Sequence, residues 1–394
     1  MPECSPAARR LRIALVHYRD SAGSGGSLRV GEAVANHLDR RTLDPHVVFA
    51  YGGPGPVAAS GRVRCHYLDA RGPGDPLAWL RARSLMRTLD PAVIHYMDAV
   101  FWLRAALLGL GAPSLVHMHG PVVESALTRR QRWLWRALGR ISSGHVCVSQ
   151  AMREAALRHG WSDAERTWVV YNGIDTRRFA QLPVRGDARA RFGLPESAFV
   201  FGMLCRLTAG KGCREAVDLV ALLPPRCHLL LCGEGPLRDA LEDAARQAGA
   251  GNRVHLAGKV DDPREAYAAM DALLFLSRYE TFGLVIAEAM AAGVPVIGLA
   301  GDGGYRELPV PLVTPSNSFL IEQPRPADFF APETPETIAC LAGHILRVTS
   351  QRELLEERAA IARAWVREHF EIGRQAVALE QIYREIALPG GAAA

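Results

Sequence analysis

A chain of 394 residues is longer than one hydrophobic core ordinarily serves, so two domains are expected, and 49% hydrophobic with 22% charged residues is ordinary for a soluble globular enzyme. The net charge of +5 is unevenly divided: residues 1–185 carry 25 Arg and no Lys against 14 acidic residues, a net of +11, while residues 186–394 carry 21 Arg and Lys against 27, a net of −6. A polarity of this size supports two lobes with different partners. The apolar run at 11–16 is too short and too soon followed by charge for a signal peptide. No uncharged apolar stretch approaches the ~20 residues that span a bilayer. The eight cysteines are scattered without a Cys-x-x-Cys pair. That pattern suits reduced thiols in a cytoplasmic protein and excludes a disulfide framework or a zinc site. Only two lysines occur, Lys211 and Lys259, in a chain that otherwise uses arginine.

Short apolar strands alternate with helical patterns from end to end, the signature of βαβ units around parallel sheets. In chain order, strands are predicted at 12–17, 47–50, 93–96, 114–118, 146–149 and 168–171. A helix is predicted over 28–38, where Leu28, Val34, Ala35 and Leu38 keep helical spacing. The pattern breaks around 182–187, as a linker would. A second series follows with strands at 199–204, 229–232, 254–257, 272–276 and 294–298, and residues beyond Pro335 are predicted to be wholly helical. The expected class is α/β, with two Rossmann-like lobes facing a cleft.

The densest chemistry lies in Arg278-Tyr-Glu280-Thr-Phe282-Gly283-Leu284-Val-Ile-Ala-Glu288-Ala-Met-Ala-Ala-Gly293-Val-Pro295. A strand is predicted to end near Ser277, a loop carries Glu280, and a helix runs from about 283 to 292, where Gly293 and Pro295 stop it. The unpaired amides near Gly283 and Leu284 make an anion site, strengthened by the helix dipole, and glycine there lets a diphosphate approach the backbone. Glu288 is the single charge between Thr281 and Gly301.

This segment resembles the E-x7-E motif of the retaining glycosyltransferases of the GT-B fold, and most closely glycosyltransferase family 4. The similarity covers nearly the whole chain, dense over 171–307 and loose before 114. It implies a GT-B architecture, with an acceptor lobe over 1–185 joined by a crossover helix at 365–394 that returns to it, and a nucleotide-sugar donor lobe over 186–364. It further implies that Glu280 contacts hydroxyls of the donor sugar and that Phe282, Gly283, Leu284 and Glu288 bind the donor, Glu288 through the ribose hydroxyls. Carboxylates suit both tasks because they accept hydrogen bonds from paired hydroxyls.

Gly202-Met-Leu-Cys-Arg206-Leu-Thr-Ala-Gly210-Lys211-Gly212 resembles the family's G-R-L-x-x-x-K-G segment, in which the two cations neutralise the donor diphosphate. A departing nucleoside diphosphate builds charge in the transition state, and fixed cations offset it. The sequence contains no Asp-x-Asp, so no metal and no other cofactor is expected. His119, in Val116-His-Met-His119-Gly120-Pro121, matches the family's strand-end His-Gly, where the histidine lies against the donor sugar; His117 is expected to point to the opposite side. Gly25 and Gly26 sit in a glycine-rich segment between the first strand and its helix. The segment is not a dinucleotide fingerprint, because Leu28 replaces the third glycine. The resemblance brings this Gly-Gly loop close to donor phosphate and acceptor. It assigns Lys259 and Val260 to the nucleobase region, the 170–175 segment with Asn172 to the interlobe hinge and active-site floor, and the 303–307 stretch to the sugar's surroundings.

The function implied is retaining transfer of a hexosyl unit from a nucleotide diphosphate sugar, a UDP-sugar ahead of a GDP-sugar, to a hydroxyl of a glycan, glycolipid or natural product. A GT-B-fold sugar-nucleotide epimerase and a non-catalytic sugar-nucleotide-binding protein remain open as alternatives. No nucleic-acid partner is expected. Residues 128–140 read as a helix with five arginines and two tryptophans, Trp133, Arg136 and Arg140 on one face and Leu134, Ala137 and Leu138 on another. This helix is either a solvated surface helix or a peripheral attachment to an anionic membrane at its inner face.

Overall fold

The computed structural model describes residues 10–21, 25–98, 100–120, 128–300, 302–303, 311–322 and 333–387. The chain divides into two compact units, one up to Gly173 and again from Ile372, the other Ile174–Glu371.

The first unit holds strands β1 (Leu11–Arg19), β2 (Leu43–Tyr51), β3 (Arg64–Tyr67), β4 (Val93–Tyr96), β5 (Ser114–Met118), β6 (Gly144–Cys147) and β7 (Thr167–Val169). They form one parallel sheet in the order β3-β2-β1-β4-β5-β6-β7. Helices α1 (Gly25–His37), α2 (Pro56–Ala59), α3 (Pro76–Leu89), α4 (Phe101–Ala106), α5 (Arg129–Ile141) and α6 (Gln150–Arg158) alternate with the strands. Ile13, Leu15, Val47, Phe49 and Val146 are at most 1% exposed, which is why these strands read as unbroken apolar runs rather than as alternation. β3, with the sequence Arg-Cys-His-Tyr, escapes the pattern because it is a partly exposed edge strand.

The second unit has β8 (Phe199–Leu204), β9 (Cys227–Cys232), β10 (Val254–Gly258), β11 (Ala272–Phe275), β12 (Tyr279–Glu280), β13 (Val296–Ala300), β14 (Asp302–Gly303) and β15 (Phe319–Glu322). Six of them form a sheet ordered β10-β9-β8-β11-β13-β15, and β12 pairs with β14 alone. The helices are α7 (Thr176–Phe179), α8 (Arg185–Arg191), α9 (Cys213–Leu222), α10 (Arg238–Gln247), α11 (Pro263–Ala269), α12 (Leu284–Ala292), α13 (Pro335–Thr349) and α14 (Arg352–His369). Both main sheets step outward one way from β1 or β8 and then reverse. That reversal creates a switch point between β1 and β4 and another between β8 and β11, where ligands of open α/β sheets bind beyond the strand ends.

The chain returns to the first unit at Ile372 with α15 (Ile372–Ala387), which packs on α1 and β4. Glu380 accepts the amide of Asp39 at 2.6 Å, and Tyr383 meets His95. Gln375 takes the Gly173 amide at 2.8 Å and donates to Asn172 at 3.3 Å. Asn172, expected to shape the ground between the lobes, is thus buried against the last helix of its own unit.

The break around 182–187 is not an unstructured linker. It runs into α8, and Arg189 of that helix is 1% exposed. Its guanidinium donates to the carbonyls of Ala269 (3.1 Å), Pro195 (3.1 Å), Glu196 and Ala198 (3.0 Å), and to the Asp271 carboxylate at 2.7 Å. Asp271 also takes the Val200 amide at 2.7 Å, so one ion pair ties α8 to the starts of β8 and β11. Without the guanidinium several carbonyls lose their donor, while Asp271 keeps its ion pair with Arg185. Arg189→Met should therefore lower stability by about 1–3 kcal/mol, read as a fall in the urea midpoint of the second unit. An unchanged midpoint would show that the carbonyls are satisfied without the guanidinium.

Candidate active site

At the switch point of the second sheet, the loop after β8 carries Arg206 and Lys211, and Glu280, expected in a loop, lies instead in the short strand β12, which follows β11 and pairs with β14. Lys211 and Glu280 form an ion pair, their side chains 28% and 18% exposed. Two features hold these loops together. Gly212 ends the Lys211 turn with φ +73°, and a Cβ there would stand 2.5 Å from Cβ of Leu276, so only glycine lets the turn close on the end of β11. The Arg278 amide then donates to the Gly210 carbonyl at 3.1 Å. The Arg278 guanidinium reaches Glu215 of α9 at 2.7 Å, both side chains under 10% exposed, and Glu333 at 3.6 Å. Arg206 is exposed, and its guanidinium has no partner among the described residues.

The buried Gly283 opens α12 with φ +87° and no side chain caps the helix, so its first amides are left without a side-chain partner. Phe282 beside it is 1% exposed and packs on Phe370 at 5.7 Å between ring centroids. Leu284 is the first helical residue. Glu288 lies a little over one turn further in, among Ile286, Ala287, Ala289 and Met290, all fully buried. It is itself 5% exposed and accepts a 2.9 Å hydrogen bond from Tyr267 of α11, whose hydroxyl also donates to the Val285 carbonyl at 3.2 Å. A carboxylate on an otherwise apolar helix costs desolvation free energy, and Tyr267 offsets part of it. Lys259 and Val260 follow β10 and line a cavity of 400 Å³ with Arg191, Phe192 and His255. Lys259 is exposed and stands 3.7 Å from Asp261.

In the first unit Gly25 and Gly26 are not loop residues: they form the first turn of α1, so they offer helix amides rather than a turn. His119 stands one residue past β5, and burial pushes its imidazole down to about 4. His117 does not point away from it. The two rings stack with centroids 4.0 Å apart, because residues two apart on a strand share a face. His117 and His95 stack in turn at 5.2 Å. The Gly23 and Pro121 positions, and all but the first residue of the Gly303–Glu307 stretch, lie outside the described residues. Sequence reasoning missed Tyr267, Glu215 and the role of Arg278, which no local spacing signals. Among the described residues no group of three or more His, Cys, Asp or Glu has metal-holding geometry.

Two family models match the chain in succession: Glycosyltransferase Family 4 over residues 24–178 and Glycosyl transferases group 1 over residues 184–331. A GDP-mannose-dependent alpha-mannosyltransferase of Mycobacterium tuberculosis is 29% identical over 72% of this chain and 72% of its own length. The lipopolysaccharide core biosynthesis glycosyltransferase LpsE of Rhizobium meliloti is 33% identical over 40% of this chain, and the match spans 44% of LpsE. Among solved structures, Anabaena HepE in complex with UDP and glucose superposes with a TM-score of 0.78 at 22% identity, over 95% of this chain and 99% of that one. The likeness to HepE carries the fold, and the two successive family matches carry the activity: this chain belongs to the glycosyltransferases of the GT-B fold, of the family 4 type.

Proposed function

We propose that the protein moves a hexosyl unit from a nucleotide diphosphate sugar to a hydroxyl of a glycan, glycolipid or natural-product acceptor, with retention of configuration and without a metal ion. The observation that carries this reading is the Lys211–Glu280 pair, set beside the uncapped amides of α12 with Glu288 buried just beyond. In this reading Arg206, Lys211 and the amides at Gly283 and Leu284 take the diphosphate, Glu288 the ribose, and Glu280 the sugar hydroxyls. As the bond from the anomeric carbon to the phosphate oxygen breaks, negative charge grows on that phosphate, where the two cations and the helix start oppose it. The acceptor oxygen attacks the same face, and the departing phosphate oxygen takes its proton. His119, half-buried and held uncharged at neutral pH by the loss of solvent around its ring, lies in this reading against the sugar as a hydrogen-bonding ring rather than as a cation. Gly25 and Gly26 bring helix amides toward phosphate and acceptor. Lys259 and Val260 border the base. UDP is favoured on the likeness to a UDP complex, and the GDP-dependent relative makes GDP the competing outcome.

A second reading concerns the first unit. α5 is fixed by a Thr128–Gln131 capping box and exposes Arg129, Arg130, Arg136, Arg140 and Ile141, with Trp133 68% exposed. A basic helix with exposed Trp and Ile suits the surface of an anionic membrane, each basic residue adding roughly 1 kcal/mol near it. No helix among the described residues is long and apolar enough to cross a membrane. A lipid-linked acceptor fits this placement.

Three outcomes are expected. In excess EDTA, one of UDP, GDP or ADP should raise the melting temperature, and its sugar should still be transferred. Activity lost on chelation and restored by manganese would remove the metal-free mechanism, and nucleotide release without a glycosylated product would favour an epimerase. Glu288→Ala should weaken nucleotide binding by calorimetry about tenfold or more, whereas Glu280→Gln should mainly lower kcat. Equal nucleotide affinity in Glu288→Ala and the parent would refute the ribose role. The protein should cosediment with anionic but not neutral vesicles at low salt, and release at high salt. Indifference to anionic vesicles would point to a soluble acceptor.

A further inference from the structure

Three adjacent strands bring histidines to the switch point of the first sheet: His17 on β1, His95 on β4 and His117 on β5, with His119 just beyond β5. The register places His95 opposite Leu115, and Leu115, His117 and His119 share one face of their strand, so all three rings fall on the same side of the sheet. The rings of His95 and His117 are 5.2 Å apart and 4° from parallel; those of His117 and His119 are 4.0 Å apart and 17° from parallel. At the far end, Nδ1 of His95 is hydrogen-bonded to the hydroxyl of Tyr383 at 2.7 Å. Tyr383 is fully buried on α15, which packs on β4.

The row is costly to bury. His95 is 0% and His117 4% exposed, and among the described residues Nε2 of His95 and both ring nitrogens of His117 have no hydrogen-bond partner. Leucines in the same space would avoid that desolvation. Burial, together with the charge each ring would feel from its neighbours, holds His95 and His117 well below the usual imidazole range, so the rings stack uncharged at neutral pH. A column of flat rings locked at one end by a hydrogen bond has little rotational freedom at the other.

We propose that Tyr383, His95 and His117 are positioning residues for His119: the last helix fixes His95, and two stacked ring contacts carry that orientation to the ring at the reaction centre. The inference rests on the reading that His119 lies against the donor sugar. A ring free to turn about its side-chain bonds would meet the sugar in several poses, and misplacement of this kind lowers the rate without weakening nucleotide binding.

The test compares Tyr383→Phe, which keeps the ring and removes the hydroxyl, with His117→Ala, which removes a ring from the column, and His117→Phe, which restores a flat one. Folded variants should lose about tenfold in kcat for Tyr383→Phe and His117→Ala, with the donor KM changed less than about twofold. His117→Phe should recover most of the loss. The imidazole nitrogen resonances of His119 should move in Tyr383→Phe, a readout that a purely structural role would leave in place. Combining Tyr383→Phe with His119→Ala should be no slower than His119→Ala alone. Unmoved His119 resonances, or rate losses that multiply in the double variant, would overturn the proposal. If His119→Ala turns over at the parent rate, the reading of His119 fails separately, and the resonances then decide by themselves whether the column sets its ring.

Discussion

The candidate site of the second unit depends on an ion pair between two segments that are far apart in sequence. Lys211 follows β8 and Glu280 sits in β12 beyond β11, and they meet because the backbone between them is already joined by Gly212 and by the Arg278–Gly210 hydrogen bond. The pair itself is partly exposed, so it contributes little to stability. Its value is positional: the carboxylate, four residues before the start of α12, holds the ammonium of one of only two lysines in the chain. The anchoring strength lies one layer deeper, in the Arg278–Glu215 contact, where neither side chain reaches water to any extent. A buried pair of this kind resists being broken, since either partner alone would be an unpaired charge in a low-dielectric surrounding. The same segment, Arg278 to Glu288, therefore supplies an anchor, a polar contact and a helix start in eleven consecutive residues.

The two units use the same topology with different physical means. In both, the reversal of strand order leaves the ends of neighbouring strands open, and in both the polar residues gather there. The second unit arranges charges: two cations, two carboxylates and the amides of a helix start. The first arranges neutral rings, kept uncharged by burial, with His119 at the edge of the column and Tyr383 at its base. The excess of arginine lies in the first part of the chain, and α5 exposes four of those side chains, Arg129, Arg130, Arg136 and Arg140, to solvent.

The sequence by itself determined what local pattern can encode. Apolar runs bounded by turns gave the central strands β1, β4, β5, β8 and β11 within a residue or two at either end, because strands covered on both faces are apolar throughout. The spacing from Gly283 to Gly293 gave helix α12, because a glycine start and a glycine-proline stop are local signals, whereas the pairing of Glu280 into β12 has no local signal. What the pattern lacked, the tertiary structure decided. β3 was missed because an edge strand needs little apolar character, whereas β15, with the sequence Phe-Leu-Ile-Glu, is a single short apolar run. Residues 182–187 read as a linker because the apolar pattern breaks there, and only the Ala269 carbonyl and the Asp271 carboxylate, about 80 residues on, make Arg189 of the helix that follows a core residue. His117 was placed on the wrong side, although two-residue periodicity alone puts it beside His119. The stack itself was beyond the sequence, for it needs the register of β4 on β5 and a helix 288 residues away. Tyr267 and Glu215 were hidden for the same reason: their partners lie 21 and 63 residues off, and hydrogen-bond geometry between distant segments exists only once the sheets have brought them together.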